Sequence, residues 1–90
     1  MPELPDVVAE VKAMLRKSRG AKDFVRRAQV AGFVTVSETG LFGLFLERGH
    51  STIALDVLPS RGPDRIWNLM VWASKESATV RLIEAGRAAF

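Results

Sequence analysis

Thirteen of the ninety residues in this chain are Lys or Arg, and seven of them crowd into one short stretch. Lys12, Arg16, Lys17, Arg19, Lys22, Arg26 and Arg27 meet a single acid there, Asp23, so residues 12–27 carry a net +6. Residues 1–11 carry −3 and residues 28–90 are neutral, which leaves +3 for the whole chain. Lys12, Arg16 and Arg19 recur at i, i+4 and i+7, the spacing of one helix face. A basic face of this kind can meet phosphates, an acidic protein surface or anionic lipid, or can simply be solvated. Lys12, Arg16, Arg19, Lys22, Arg26 and Arg27 are therefore the candidate binding residues for nucleic acid or for an acidic partner. Only Phe24 interleaves them, and its spacing buries it, so no platform for base stacking is visible.

Other chemistry is sparse. The chain has no cysteine and one histidine, which excludes disulfides and thiolate catalysis and argues against any all-protein transition-metal site. His50 sits in a turn signal between Arg48-Gly49 and Ser51. A histidine beside an arginine could serve as the general base of a small RNase-like toxin. No orienting carboxylate is assured, although Glu47 is near in sequence. Ser51, Ser60 and Ser74 show no nucleophile-elbow pattern, and no Gly-rich phosphate loop occurs. The expectation is a chain without catalytic, cofactor-binding or metal-binding residues.

The elements that would position these residues follow from periodicity. Val7, Val8, Val11, Met14 and Leu15 make the stripe of a core-facing helix, with Pro5 in its first turn and Gly20 as a stop. A second helical stretch runs from Ala21 to Ala31, burying Phe24, Val25 and Ala28, and Gly32 closes it. Whether residues 6–31 form one kinked helix or two is open at this stage. From Phe33 the period becomes 2. Val34 and Val36, then Phe42, Leu44 and Leu46, then Ile53, Leu55 and Val57 alternate along three strands. Thr39-Gly40 and Gly49-His50 are the turns of an antiparallel meander. Pro59-Ser60-Arg61-Gly62-Pro63-Asp64 reads as a loop. A fourth strand spans Arg65 to Ala73, and Ser74 reads as the N-cap of a last helix reaching Ala89 with Ala78, Leu82, Ile83 and Ala85 near one face. The expected fold is one α+β domain over residues 1–90: one or two N-terminal helices, a four-stranded mainly antiparallel sheet and a C-terminal helix.

Two strands break the alternation. Leu41, Phe42, Leu44, Phe45 and Leu46 are apolar on both faces, as are Ile66, Trp67, Leu69, Met70, Val71 and Trp72. Helices on both sides, a strongly curled sheet, or a second copy or other protein would cover the extra face. A buried helix in place of the fourth strand is the remaining alternative. Five residues separate Trp67 from Trp72, which puts them on opposite faces of a strand. Both are expected in the core, or else one is an interface anchor, so Phe45, Trp67 and Trp72 join the candidate binding residues.

The opening Met1-Pro2-Glu3-Leu4-Pro5-Asp6-Val7 resembles the start of bifunctional DNA glycosylases of the formamidopyrimidine and endonuclease VIII family. The resemblance implies that Pro2, exposed by removal of Met1, attacks a sugar as a secondary amine with Glu3 assisting. It covers seven residues and carries over Pro2 and Glu3 alone. Phe42 to Ser60 is similar in hydrophobicity to that family's lysine-bearing hairpin but holds no lysine, and ninety residues leave no room for the family's helix–two-turn–helix domain or finger. The order helix, three-stranded meander, helix is also similar to double-stranded-RNA-binding domains and to small toxin RNases on that fold. There only Lys75 stands where two or three lysines belong, and Thr39-Gly40 occupies the hairpin that bears the toxins' histidine.

Arg outnumbers Lys, and Ala, Gly, Arg and Pro are abundant, the residue usage of a GC-rich bacterial or phage genome. No apolar run is long enough to span a membrane and no leader is visible, so a cytoplasmic chain is expected. The functional expectation is a small non-enzymatic protein-interaction or regulatory protein, binding another protein or itself as a homodimer. It would use an apolar sheet surface and the basic helical face, with no membrane, cofactor or small-molecule substrate. Nucleic-acid binding through residues 12–27 and RNase action through His50 are the alternatives.

Overall fold

A computed structural model describes residues 3–36, 43–57, 64–82 and 85. Two helices precede a five-stranded antiparallel sheet in an α+β arrangement. Helix α1 (Leu4–Lys17) buries Val7, Val11 and Leu15, one residue per turn of its apolar stripe. The chain leaves the helix at Ser18, which is extended and buried; its hydroxyl donates to the Met14 carbonyl at 2.7 Å. Residues 6–31 thus form two helices, not one.

Helix α2 (Ala21–Val30) buries Ala21, Phe24 and Ala28, and Val25 is half-buried. Its N-cap, Gly20, offers no side chain, so the first N–H groups find acceptors elsewhere. Ala21 N–H donates to the Asp64 carbonyl at 2.9 Å, and Lys22 N–H to the Asp64 carboxylate at 2.8 Å. A Cβ on Gly20 would lie 2.2 Å from that carboxylate, so only glycine admits the contact. At the other end Phe33 N–H bonds the Ala28 carbonyl and Gly32 N–H the Gln29 carbonyl. With Gly32 at φ +100°, this is the Schellman closure that glycine permits.

Strands β1 (Val34–Thr35), β2 (Leu44–Arg48), β3 (Ser51–Val57), β4 (Ile66–Ala73) and β5 (Glu76–Thr79) lie side by side in chain order. Register sorts their side chains. Leu46, Ile53, Val71 and Ala78 form one cross-strand row, and Leu44, Leu55 and Leu69 another. Apart from Ala78, both rows pack beneath the helices in a core with Val7, Val11, Leu15, Phe24, Ala28 and Phe33. The opposite face carries the row Phe45, Ala54, Met70, Thr79 and the row Glu47, Thr52, Trp72, Ser77.

Three expectations need correction. The sheet has five strands rather than four, and no helix starts at Ser74. Ser74-Lys75 is instead a two-residue hairpin loop between the paired Ala73 and Glu76, with Ser74 at φ +58°. Serine favours both N-caps and turns, and here the β4 register selects the turn. Ala85 does reach the core and donates to the Arg81 carbonyl, four residues back. The remainder of the expected helix, 83–84 and 86–90, lies outside the described residues. So do the Thr39-Gly40 turn, Leu41, Phe42 and the 59–63 loop.

The third correction concerns the tryptophans. Pairing shifts register at Asp56/Val57, so that Asp56 opposes Asn68 and Val57 opposes Ile66. Trp67 is the extra residue of this bulge. The shift turns Ile66 into the core, whereas Trp67 and Trp72 are half-buried and are not among the described residues of the core beneath the helices.

Candidate functional site

The helix pair and the second sheet face are the two places where candidate residues gather. On the helices, the expected basic stripe divides. Arg19 is not on α1, because the helix has ended at Lys17; it lies in the connection, its N–H bonded to Asp23 at 3.0 Å. Lys12 is half-buried and Arg16 exposed, on the flank of α1 turned from α2. Lys22 is exposed beside the Asp64 cap. Arg26 and Arg27 both reach back to Asp23, at 2.8 and 3.4 Å. The bond from Arg26 and that from Arg19 N–H hold the Asp23 carboxyl down to about 2.

Between α1 and α2 runs an open groove of about 500 Å³ lined by Ala13, Met14, Val30 and Ala31, with Lys17, Arg26 and Arg27 at its rim. Sequence reasoning did not single out Lys17 or Val30. Val30 is 85% exposed, an apolar side chain in water at the last position of its helix. Two acids also border the groove, Glu10 and Asp23, and each is already held by cations. Glu10 forms a two-pronged pair with Arg48, one prong at 2.9 Å, and the same Arg48 nitrogen donates to the Ala31 carbonyl at 2.8 Å. The Arg48 guanidinium lies 4.2 Å from the Phe33 ring centre. The hydrogen bonds from Arg48 pull the Glu10 carboxyl below its usual range against the effect of burial. One β2 side chain therefore ties α1 to the C-terminus of α2.

On the second sheet face, Val34 and Val36 are 65% and 53% exposed. Val36 N–H bonds the Phe45 carbonyl, which extends the row Phe45, Ala54, Met70 by one more apolar residue. Trp72 stands in the neighbouring row, two residues along the strand from Met70. Phe45, Met70 and Trp72 are half-buried, and Ala54 is buried without joining the core under the helices. Both described helices lie on the other face, so helices do not cover the extra apolar residues from both sides among the described residues. Trp67 is set apart at the bulge, with the Arg65 guanidinium 5.7 Å from its ring centre.

No family model, curated protein or solved structure matches the chain. His50 is exposed in the Gly49-His50 turn; its carbonyl accepts from Ser74 N–H at 2.8 Å, and its ring has no hydrogen-bond partner among the described residues. Glu3 lines an open cleft of about 680 Å³ with Pro5 and Lys75, while Pro2 lies outside the described residues. No cluster of His, Asp or Glu that could hold a metal occurs among the described residues. No described helix is long and apolar enough to cross a membrane.

Proposed function

We infer that this chain is a non-enzymatic protein-binding domain that acts through the second face of its sheet and through its basic helix pair. The observation that carries the reading is the concentration of Val34, Val36, Phe45, Met70 and Trp72 on a sheet face over which neither helix lies. A face with large aliphatic and aromatic side chains has the composition of an interface core, and its regular strands suit a second copy of the same face. Light scattering after size exclusion is the test. The native chain should be dimeric at high micromolar concentration, and the double variant Val36→Glu, Met70→Glu should be monomeric and folded. A native chain that stays monomeric over that range removes self-association.

Nucleic-acid binding is the alternative reading, favoured by the exposure of Arg19, Lys22, Arg26 and Arg27. It requires affinity for duplex DNA or RNA that falls steeply with salt. Duplexes that fail to bind at low salt exclude it.

A further inference from the structure

The two helices are amphipathic and their buried faces are spent on the sheet, yet apolar side chains also line the groove between them on the solvent side. Ala13 and Met14 come from α1, Val30 and Ala31 from the end of α2. Val30 is the most exposed large apolar residue described, at 85%. Lys17, Arg26 and Arg27 line the same groove, and the side chain of Arg26 is 75% exposed. The bordering acids do not reverse the sign of the rim. Glu10 is matched by Arg48 and Asp23 by Arg26 and Arg27, so Lys17 and one arginine charge remain in excess. The wider stretch 12–27 adds to the positive field.

We propose that this groove binds an amphipathic helical segment of another protein, with apolar anchors at i and i+3 or i+4 bordered by Asp and Glu. The proposal rests on the protein-binding reading of the helix pair and is independent of the sheet face. Two packed helices offer a third helix a ready apolar channel, and the rim selects carboxylates by charge. A nucleic-acid backbone fits less well. Its phosphates would gain nothing from the Ala, Met and Val side chains of the lining, and the cations it would need are divided between the groove and the far flank of α1.

The test is selection from a random displayed peptide library on the full native chain, followed by anisotropy titration of the enriched peptide in synthetic, labelled form. Enriched sequences should pair Leu, Ile, Phe or Met at helical spacing with at least two carboxylates. Val30→Glu should weaken binding tenfold or more, and so should the double variant Lys17→Glu, Arg27→Glu. Val30 is exposed enough for its substitution to leave the fold intact, which circular dichroism checks. Met70→Glu should leave the affinity unchanged, and in the opposite case the site is the sheet face and the groove proposal falls. A library that yields no enrichment overturns the proposal, as does a selected peptide indifferent to Val30→Glu. Poly-glutamate or duplex DNA binding as tightly as the peptide would reduce the groove to a charge patch and overturn it too. Dimerisation in the light-scattering test is unaffected by any of these results, so the two readings fail separately.

Discussion

Both faces of the sheet carry large apolar side chains, and they differ in how fully those side chains are buried. Under the helices, Leu46, Ile53, Leu55, Leu69 and Val71 are buried and joined in one core. On the other face Val36, Phe45, Met70 and Trp72 are similar in size and hydrophobicity but keep part of their surface exposed. Hydrophobicity alone therefore does not tell a fully buried position from a partly exposed one; the register does, by assigning each residue a side.

Truncation should separate the faces most sharply. Leu55→Ala should cost about 2–5 kcal/mol in urea unfolding, and Phe24→Ala about 3–5 kcal/mol. Met70→Ala, on the half-exposed face, should cost less than about 1 kcal/mol while weakening self-association. Equal losses at Leu55 and Met70 would mean that the second face is core as well.

Gly20→Ala probes the tie between the helix pair and the start of β4. The new methyl would force the Asp64 carboxylate away and strip α2 of its cap, at a cost of about 1–3 kcal/mol in the same unfolding assay. An unchanged midpoint would show that Asp64 moves aside at no cost.

Acid should act through the two carboxylates carried by the helices, Glu10 and Asp23. Glu10 and Asp23 both titrate below their ordinary values of 4.5 and 3.8 when folded. A lowered carboxylate contributes stability above its unfolded value and loses it as pH falls through the folded one. Stability should therefore drop as pH is taken from roughly 4.5 towards 2, the region where these groups are protonated. Glu10→Gln should flatten the upper part of that fall and cost about 1 kcal/mol at neutral pH, modest because the pair is partly solvated. Identical pH profiles for the two chains would contradict the Arg48 bridge.

The smallest effect is expected at the β4–β5 hairpin. Ser74→Gly relieves a positive φ worth about 1 kcal/mol, and glycine's freer unfolded state takes part of that back. A net gain of about 0.5 kcal/mol should appear as a raised melting temperature. A loss would show that the contacts Ser74 makes outweigh the strain.

The hairpins on either side of the β3–β4 pair also explain what can be read from residues alone. Gly49-His50 and Ser74-Lys75 are both two-residue loops, each with a positive φ at its first position. Glycine announces the turn at 49–50. Serine suits a helix cap as well as a turn, so Ser74 by itself does not distinguish them. The helical stripes, the Gly32 stop and three strands are legible because each depends on neighbours a few residues apart. The Trp67 bulge and the Asp64 cap depend on partners far along the chain, 42 residues in the case of Lys22 and Asp64. The basic stripe is half legible. Its charges are where the spacing puts them, but α1 ends before Arg19, and the groove joins Lys17 to Arg26 and Arg27 across two helices.

Arg48 has a consequence for how such a surface could change over time. Its guanidinium holds Glu10 of α1 and the end of α2 at a set separation from below, so the groove's width is dictated by a strand residue that forms no part of its wall. A lysine there could set one nitrogen between Glu10 and Ala31 but would lose the second prong to Glu10. A wider or narrower groove could therefore arise from a change on β2 with every lining residue kept.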